Sequence, residues 1–395
     1  MPEPIIRPLE PAEMPEIMYH LTSYAFNPTP PWPDKARRLE LLSKRQEATY
    51  MALFAGDTAV SVAASTPMSQ QVRGKIFNMG GIWGVATRPE ARRQGYCRRV
   101  LTELLTAVRD SGCAFTTLYP FRESFYERLG YTTFPLPIKA RFNPANLAPL
   151  LKMDLPGHVE TALIGEVYPA YHLFLQQLQR QTHGMAIMKA NLQRGPNQPD
   201  GLWVAQAVVD GRVQGMMLYD IKGAEVTQFT LRAIRFYAAS PAGRYLLLDW
   251  IARHIDQANL AELWLSPTDR PETWLADLAV STESMNRAPM GRVLDVAQMG
   301  GQQVGDGRFT AAIHDPLCPW NEGNWEFVGE NGRLHVQPAA AADCALTIQG
   351  LSALVYGTHD PADFALRGWG RPDEEVQAAM RALFPPRLPH IHEIF

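Results

Sequence analysis

A chain of 395 residues that is 46% hydrophobic and 19% charged can bury substantial apolar cores but is long for one of them, so two or three domains are expected. Its formal net charge of −3, with Lys and Arg scattered rather than massed, argues against nucleic acid as the main partner. Cys97, Cys113, Cys318 and Cys344 have the spacing of neither a zinc site nor a disulfide framework; with no leader-like start and no apolar run near the roughly 20 residues of a bilayer span, a cytoplasmic location without a membrane partner is expected.

In chain order, Ile5 to Pro8 reads as a short strand, and Met14, Ile17, Met18, Leu21 and Ala25 recur at helix spacing until Asn27-Pro28-Thr29-Pro30-Pro31 stops them. Thr49 to Phe54 and Ala59 to Thr66 flank Gly56-Asp57 as a hairpin, and Lys75 to Ala86 is a third strand. Beyond Pro89, the residues Val100, Leu101, Leu104, Leu105 and Val108 form one helix face ending near Gly112. Cys113 to Tyr119 follows as a strand, then a short helix ends at Gly130.

From Leu151 the same order of elements recurs with different residues. Tyr168 to Gln179 is helical, Leu202 to Val209 pairs through Asp210-Gly211 with Val213 to Tyr219, and a helix from Tyr245 to His254 precedes a strand at Glu262 to Leu265. From Met290 the pattern turns β-prone, with a hairpin turn at Asn331-Gly332, before helices at Ser352 to Tyr356 and Glu374 to Phe384. Pro385-Pro386-Arg387-Leu388-Pro389 forces the last residues to be extended. The chain is therefore α/β (α+β), with expected domains at 1–150, 151–289 and 290–395.

The stretch that carries chemistry is Gly84-Val85-Ala86-Thr87-Arg88-Pro89-Glu90-Ala91-Arg92-Arg93-Gln94-Gly95-Tyr96-Cys97, between a predicted strand and a predicted helix. A loop feeding a helix N-terminus aims unpaired N–H groups at one point, where the helix dipole also favours negative charge. Gly95 lets the backbone approach a phosphate, and Arg92 and Arg93 add permanent charge. Backbone groups of Val85, Ala86 and Thr87 are free for an amide-rich arm if the neighbouring strands splay apart. On these residues alone, a capped surface helix with solvated arginines is the competing reading.

This stretch resembles the pyrophosphate loop of the GNAT superfamily of N-acetyltransferases, Arg/Gln-x-x-Gly-x-Gly/Ala, with Arg92, Gly95 and Cys97 at its signature positions and Cys97 replacing the usual Gly or Ala. Phe125-Tyr126-Glu127-Arg128-Leu129-Gly130-Tyr131 resembles the superfamily's downstream Phe-Tyr-x-x-x-Gly-Phe/Tyr element. Over its whole length the chain looks like the enhanced-intracellular-survival (Eis) type of acetyltransferase, with Leu351-Ser352-Ala353-Leu354 and the terminal Phe395 fitting that group. The resemblance implies two tandem GNAT-like domains with mixed central sheets plus a sterol-carrier-like α+β domain, and closed homo-oligomers, often hexamers. Around Ala238-Ala239-Ser240-Pro241-Ala242-Gly243 the second copy lacks paired arginines before its glycine and reads as structural.

What the resemblance implies for the site is an acetyl-CoA cosubstrate held by Val85, Ala86, Thr87, Arg92, Arg93, Gln94, Gly95, Tyr96 and Cys97. Tyr126 matches the family's general acid and the carboxylate of Phe395 its general base. A phenol with pKa about 10 suits protonation of a departing thiolate, and an α-carboxylate with pKa about 3.5 is ionised and able to accept a proton. Read without the family, Tyr126 is equally a core aromatic and Phe395 equally a frayed end, although Ile391, Ile394 and Phe395 together suit docking. Phe26, Trp32 and Trp83, with Tyr24 and Glu393, suit a pocket for a cationic amine and suit core packing as well. Asn27 stands where an acidic residue would help hold a polyamine, which leaves aminoglycosides, lysine-like amines and arylalkylamines all open. No Cys or Asp completes a ligand set around His390 and His392, so no metal is expected. The alternatives are a protein-lysine acceptor, or a non-catalytic CoA- or lipid-binding protein.

Overall fold

The computed structural model describes residues 3–45, 47–188, 201–285 and 288–391. It begins with β1 (Ile5–Pro8), α1 (Met14–Phe26), α2 (Lys35–Ser43), β2 (Thr49–Ala55), β3 (Thr58–Val72) and β4 (Lys75–Thr87). Then come α3 (Tyr96–Asp110), β5 (Phe115–Leu118), α4 (Glu123–Glu127) and β6 (Thr132–Thr133). The strands lie in the order β1-β2-β3-β4-β5, and β4 with β5 is a parallel pair because α3 crosses between them.

The pleat sorts β2 to two faces. Met51 and Leu53 join α3's Val100, Leu101, Leu104, Leu105 and Val108, the face its spacing predicts, while Tyr50, Ala52 and Phe54 join Met14, Met18, Tyr19 and Leu21 of α1. Each fully buried Leu, Val, Met or Phe among them contributes about 1.5–3 kcal/mol. Helix α2 was not foreseen: Leu42 is its one buried residue, and it starts where the Asp34 carboxylate accepts from Arg37 N at 3.1 Å.

The first sheet is completed by distant chain. Ala186–Met188 pairs with β3, and Met290–Val293 enters between β5 and β6, antiparallel to both. One compact unit therefore comprises Met1–Phe134, Thr182–Leu192 and Pro289–Phe395, and the other Pro135–Gln181 and Gln193–Ala288. Residues 135–150, placed in the first domain by the sequence, fall in the second unit, because the strand Ile138–Phe142 pairs with Ala258–Leu265 and Leu147 and Leu150 enter that unit's core. The 290–395 segment shares a core with the first: Phe309, Phe327, Leu351 and Tyr356 cluster with Met68, Phe77 and Phe115. Three sequence segments thus give two contact units.

The second unit holds a mixed sheet in which Trp203–Val209 and Arg212–Lys222 form the foreseen hairpin, with Asp210 at φ +49° and Gly211 at +69°. Phe229–Ala238 runs parallel to Ala258–Leu265 across the helix Pro241–Ala252, repeating the β4-α3-β5 crossover. The first unit's small sheet turns at Asn331 and Gly332, with φ of +52° and +70°, as that dipeptide predicts. No helix among the described residues is long and apolar enough to cross a membrane.

A buried polar knot ties the first unit together. Arg73 caps the C-terminus of the helix Ile348–Tyr356, donating to the carbonyls of Val355 at 2.6 Å and Leu354 at 3.0 Å, and also to Pro385 O at 3.0 Å. Arg73 N donates to His183 Nδ1 at 3.1 Å, so Nε2 carries the hydrogen given to Tyr356 O at 3.1 Å. Burial above all, and then the Arg73 charge, depress His183 from 6.5 to about 3. The unfolded chain therefore takes up the proton first. His183's contribution is complete above pH about 6.5 and is lost as pH falls toward about 3, at up to roughly 1.4 kcal/mol per pH unit. Urea unfolding between pH 6.5 and 5 should show a shallower pH slope in His183→Gln than in wild type; equal slopes would refute this.

Residues 389–391 dock against the same loop. His390 N donates to His183 O at 2.8 Å, a Cβ on Gly184 would come 2.5 Å from Pro389 Cβ, and Ile391 is buried in the shared core. His392, Glu393, Ile394 and Phe395 lie outside the described residues.

Candidate active site

The pairing of β4 with β5 stops at Ile82 and Leu118, although β4 runs on to Thr87. Beyond Ile82 it pairs with β3 alone, through a bulge whose extra β4 residues are Gly84 and Val85. Gly84 has φ +63°, and a Cβ there would lie 2.8 Å from Met18 Cε, so α1 seats directly on the bulge. The β5-facing edge of Val85, Ala86 and Thr87 thus has no strand partner among the described residues, which is the splay an extended amide-bearing arm requires.

The turn after β4 ends in two left-handed residues, Arg93 at φ +64° and Gly95 at φ +77°, and Gly95 is the N-cap of α3. No side chain caps this helix, no acidic residue lies in its first turn, and a Cβ on Gly95 would meet nothing within 4 Å. The N–H groups of Tyr96 and Cys97 have no carbonyl partner within the helix and point out of its positive end. Arg92 is exposed and anchored by its Nε, which donates to Thr87 O at 3.1 Å, while exposed Arg93 follows it. Gln94 is turned back onto the loop, its Nε2 donating to Glu90 O at 3.2 Å. Open backbone donors flanked by two guanidinium groups fit a diphosphate.

The equivalent helix start in the second unit is closed. Ser240 Oγ accepts from Gly243 N at 3.2 Å, and a Cβ on Gly243 would lie 2.2 Å from Gln214 O. Capping and packing there use up the space and the donor that stay open above Gly95.

Tyr126 is buried in α4 and packs edge-on against Phe121, Phe125 and Tyr131, with ring centroids 5.7, 5.0 and 6.0 Å away. Tyr96, Cys97 and Phe125 border the same apolar cluster. Burial first, then Cys97 and Tyr131, push its phenol well above the ordinary 10, so it holds its proton throughout the neutral range. Burial pushes the Cys97 thiol up to about 12, which makes it a small neutral neighbour rather than a thiolate. The sequence marked Phe121 and Phe125 only as part of an aromatic run; their role as walls around Tyr126 depends on the turn that brings residue 121 back over residue 126.

The residues expected to line an acceptor pocket have separate surroundings. Trp83 faces α1, its Nε1 donating to Thr66 Oγ1 at 2.9 Å, its ring edge-on to Tyr50 at 5.8 Å and its face 4.2 Å from the Arg45 guanidinium. Trp32, half-exposed, meets His20 edge-on at 5.7 Å and lies tilted against Tyr19 at 5.9 Å and Tyr24 at 6.5 Å. Phe26 is exposed, and among the described residues no ring contact joins it or Trp32 to Trp83. Asn27 closes α1, its Nδ2 donating to Ser23 O at 3.2 Å. Thr66, Tyr50 and Arg45, which surround Trp83, carried no local signal in the sequence.

Comparison with known proteins identifies two segments of the first unit. Residues 5–134 match the acetyltransferase (GNAT) domain family and residues 295–392 the sterol carrier protein domain family. An uncharacterized N-acetyltransferase from Streptomyces avermitilis is 22% identical over 383 residues, covering 86% of this chain and 88% of its own. A probable N-acyltransferase of known structure from Enterococcus faecalis superposes with a TM-score of 0.85 at 19% identity, covering 100% of both chains. Eis1 from Mycobacterium abscessus superposes with a TM-score of 0.79 at 18% identity, again over 100% of both chains.

Proposed function

Because this chain is an N-acetyltransferase, with a GNAT domain at residues 5–134 and a sterol carrier protein domain at 295–392, we propose that it moves the acetyl group of acetyl-CoA directly to a primary amine of a small cationic acceptor. The observation that carries this reading is the uncapped α3 N-terminus beside the partnerless β4 edge, with Tyr126 in the cluster bordered by Tyr96 and Cys97 of the same helix turn.

In this reading the N–H groups of Tyr96 and Cys97, with Arg92 and Arg93, hold the diphosphate, Gly95 allows its approach, and Val85, Ala86 and Thr87 pair with the pantetheine amides. The amine forms its C–N bond at the thioester carbonyl, which the N–H of Val85 polarises, and the C–S bond breaks. The carboxylate of Phe395 takes the amine's proton, directly or through water. Tyr126 gives its proton to the departing thiolate. Phe26, Trp32 and Glu393 face the acceptor, with Trp83 set apart under the Arg45 guanidinium, and the working form is a cytoplasmic homo-oligomer.

A panel of amines assayed for free-thiol release from acetyl-CoA tests this directly. Release with small polyamines or aminoglycosides, at rates well above acetyl-CoA hydrolysis, is expected. Release only with lysine-bearing proteins would move the acceptor to that class, and acetyl-CoA binding without release for any amine would overturn the proposal.

A further inference from the structure

Helix α4 spans only Glu123–Glu127, and no side chain caps its start. Neighbouring residues hold part of it, Thr133 Oγ1 donating to the Glu123 carboxylate at 2.9 Å and Gly130 N to Glu127 O at 3.0 Å, and the rest of the hold comes from outside the segment. The Tyr126 carbonyl accepts from Leu129 N at 2.9 Å and Tyr131 N at 3.2 Å, which makes the turn 126–131 one rigid piece. Two side chains from the far end of the sequence hold that piece. Gln349 Nε2 donates to Glu127 O at 2.7 Å, and Arg292 Nη1 donates to Leu129 O at 2.6 Å. Between them lies Gly130 at φ +95°, where a Cβ would stand 2.7 Å from Arg292 Nη1 and 2.8 Å from Ile348 Cγ2. The turn is therefore clamped with no slack.

We propose that the C-terminal segment acts in turnover as a positioning element, with Gln349 and Arg292 as positioning residues that set where the Tyr126 hydroxyl sits. The proposal rests on the reading of Tyr126 as proton donor. A displacement of about 1 Å in a catalytic group can cost about 100-fold in rate, so the clamp has leverage even though neither residue touches substrate. Gln349 is the cleaner probe, since it is only part-buried and uncharged, whereas Arg292 is fully buried and charged.

The test is a double-mutant cycle in the full chain, with Gln349→Leu, Gln349→Ala and Tyr126→Phe, reading kcat, acetyl-CoA affinity and the unfolding midpoint. Gln349→Leu and Gln349→Ala should each lower kcat about 10-fold with acetyl-CoA affinity within about twofold and an unchanged midpoint. Added to Tyr126→Phe, either should lower kcat no further, because the residue through which it acts is gone. A wild-type kcat in both Gln349 variants overturns the proposal. So does an equal loss in the wild-type and Tyr126→Phe backgrounds, the mark of a purely structural role. If instead Tyr126→Phe alone keeps full rate, the proton-donor reading fails and takes this proposal with it, a result distinguishable from the other two.

Discussion

Tyr126→Phe should lower kcat by about 100-fold or more while leaving acetyl-CoA affinity within about twofold, the range general-acid groups usually supply. The substitution keeps the ring that packs against Phe121, Phe125 and Tyr131 and removes one oxygen. Among the described residues that oxygen has no hydrogen-bond partner, so its loss breaks no internal bond and the folded state should be as stable as before. The proposed diphosphate cradle lies on the α3 turn, not on α4, so binding should persist; acetyl-CoA should still raise the unfolding midpoint of the variant. The pH dependence has a definite sign. Burial raises the phenol's pKa, so the protonated, donating form persists to higher pH than for a free tyrosine, and the wild-type rate should show no alkaline fall attributable to Tyr126 up to pH about 10. A variant that releases free thiol at near the wild-type kcat would remove Tyr126 from the chemistry.

Much of this arrangement is written locally. The α3 face at Val100, Leu101, Leu104, Leu105 and Val108 follows from helix periodicity, and the Asp210-Gly211 and Asn331-Gly332 turns follow from residues that tolerate positive φ. The turn before α3 is marked in the sequence by Gly95, and the structure places Gly95 in a left-handed conformation there. What escaped the sequence depends on remote partners. The β-prone run from Met290 is legible, but nothing in Met290–Val293 says that these four residues form a strand that enters the first sheet between β5 and β6. Helix α2 shows no apolar stripe because only Leu42 is buried. Trp83 was readable as an aromatic near the site, but the Arg45 guanidinium across its face was not, since that contact depends on how the chain after α2 turns. A cationic acceptor approaching Trp83 would meet a positive charge already there, which favours Trp32 and Phe26 as the aromatic surface for an amine.

The Arg292–Asp315 pair carries the second large effect. Both side chains are fully buried and Arg292 Nη2 donates to the Asp315 carboxylate, while Asn321 Nδ2 donates to the same carboxylate oxygen at 2.9 Å. Asp315→Ala would leave a guanidinium inside the protein facing neutral groups, the carbonyls of Leu129 and Val293, the Tyr131 ring and the Cys318 thiol, with no counter-charge among the described residues. Removing one partner of a buried ion pair typically costs about 3–5 kcal/mol, which corresponds to a fall of roughly 10 °C in midpoint for a unit of this size. Replacing both residues, as Arg292→Met with Asp315→Leu, removes the stranded charge along with its counter-charge and should recover most of that loss. Recovery of stability need not bring back activity. The double variant still lacks the donor to Leu129 O, so it should unfold near the wild-type midpoint yet turn over more slowly, separating the pair's contribution to the fold from its hold on the Tyr126 turn. Calorimetry or urea unfolding of the two variants decides the first point, and an Asp315→Ala chain as stable as wild type would show that the buried charge is satisfied by the neutral groups around it.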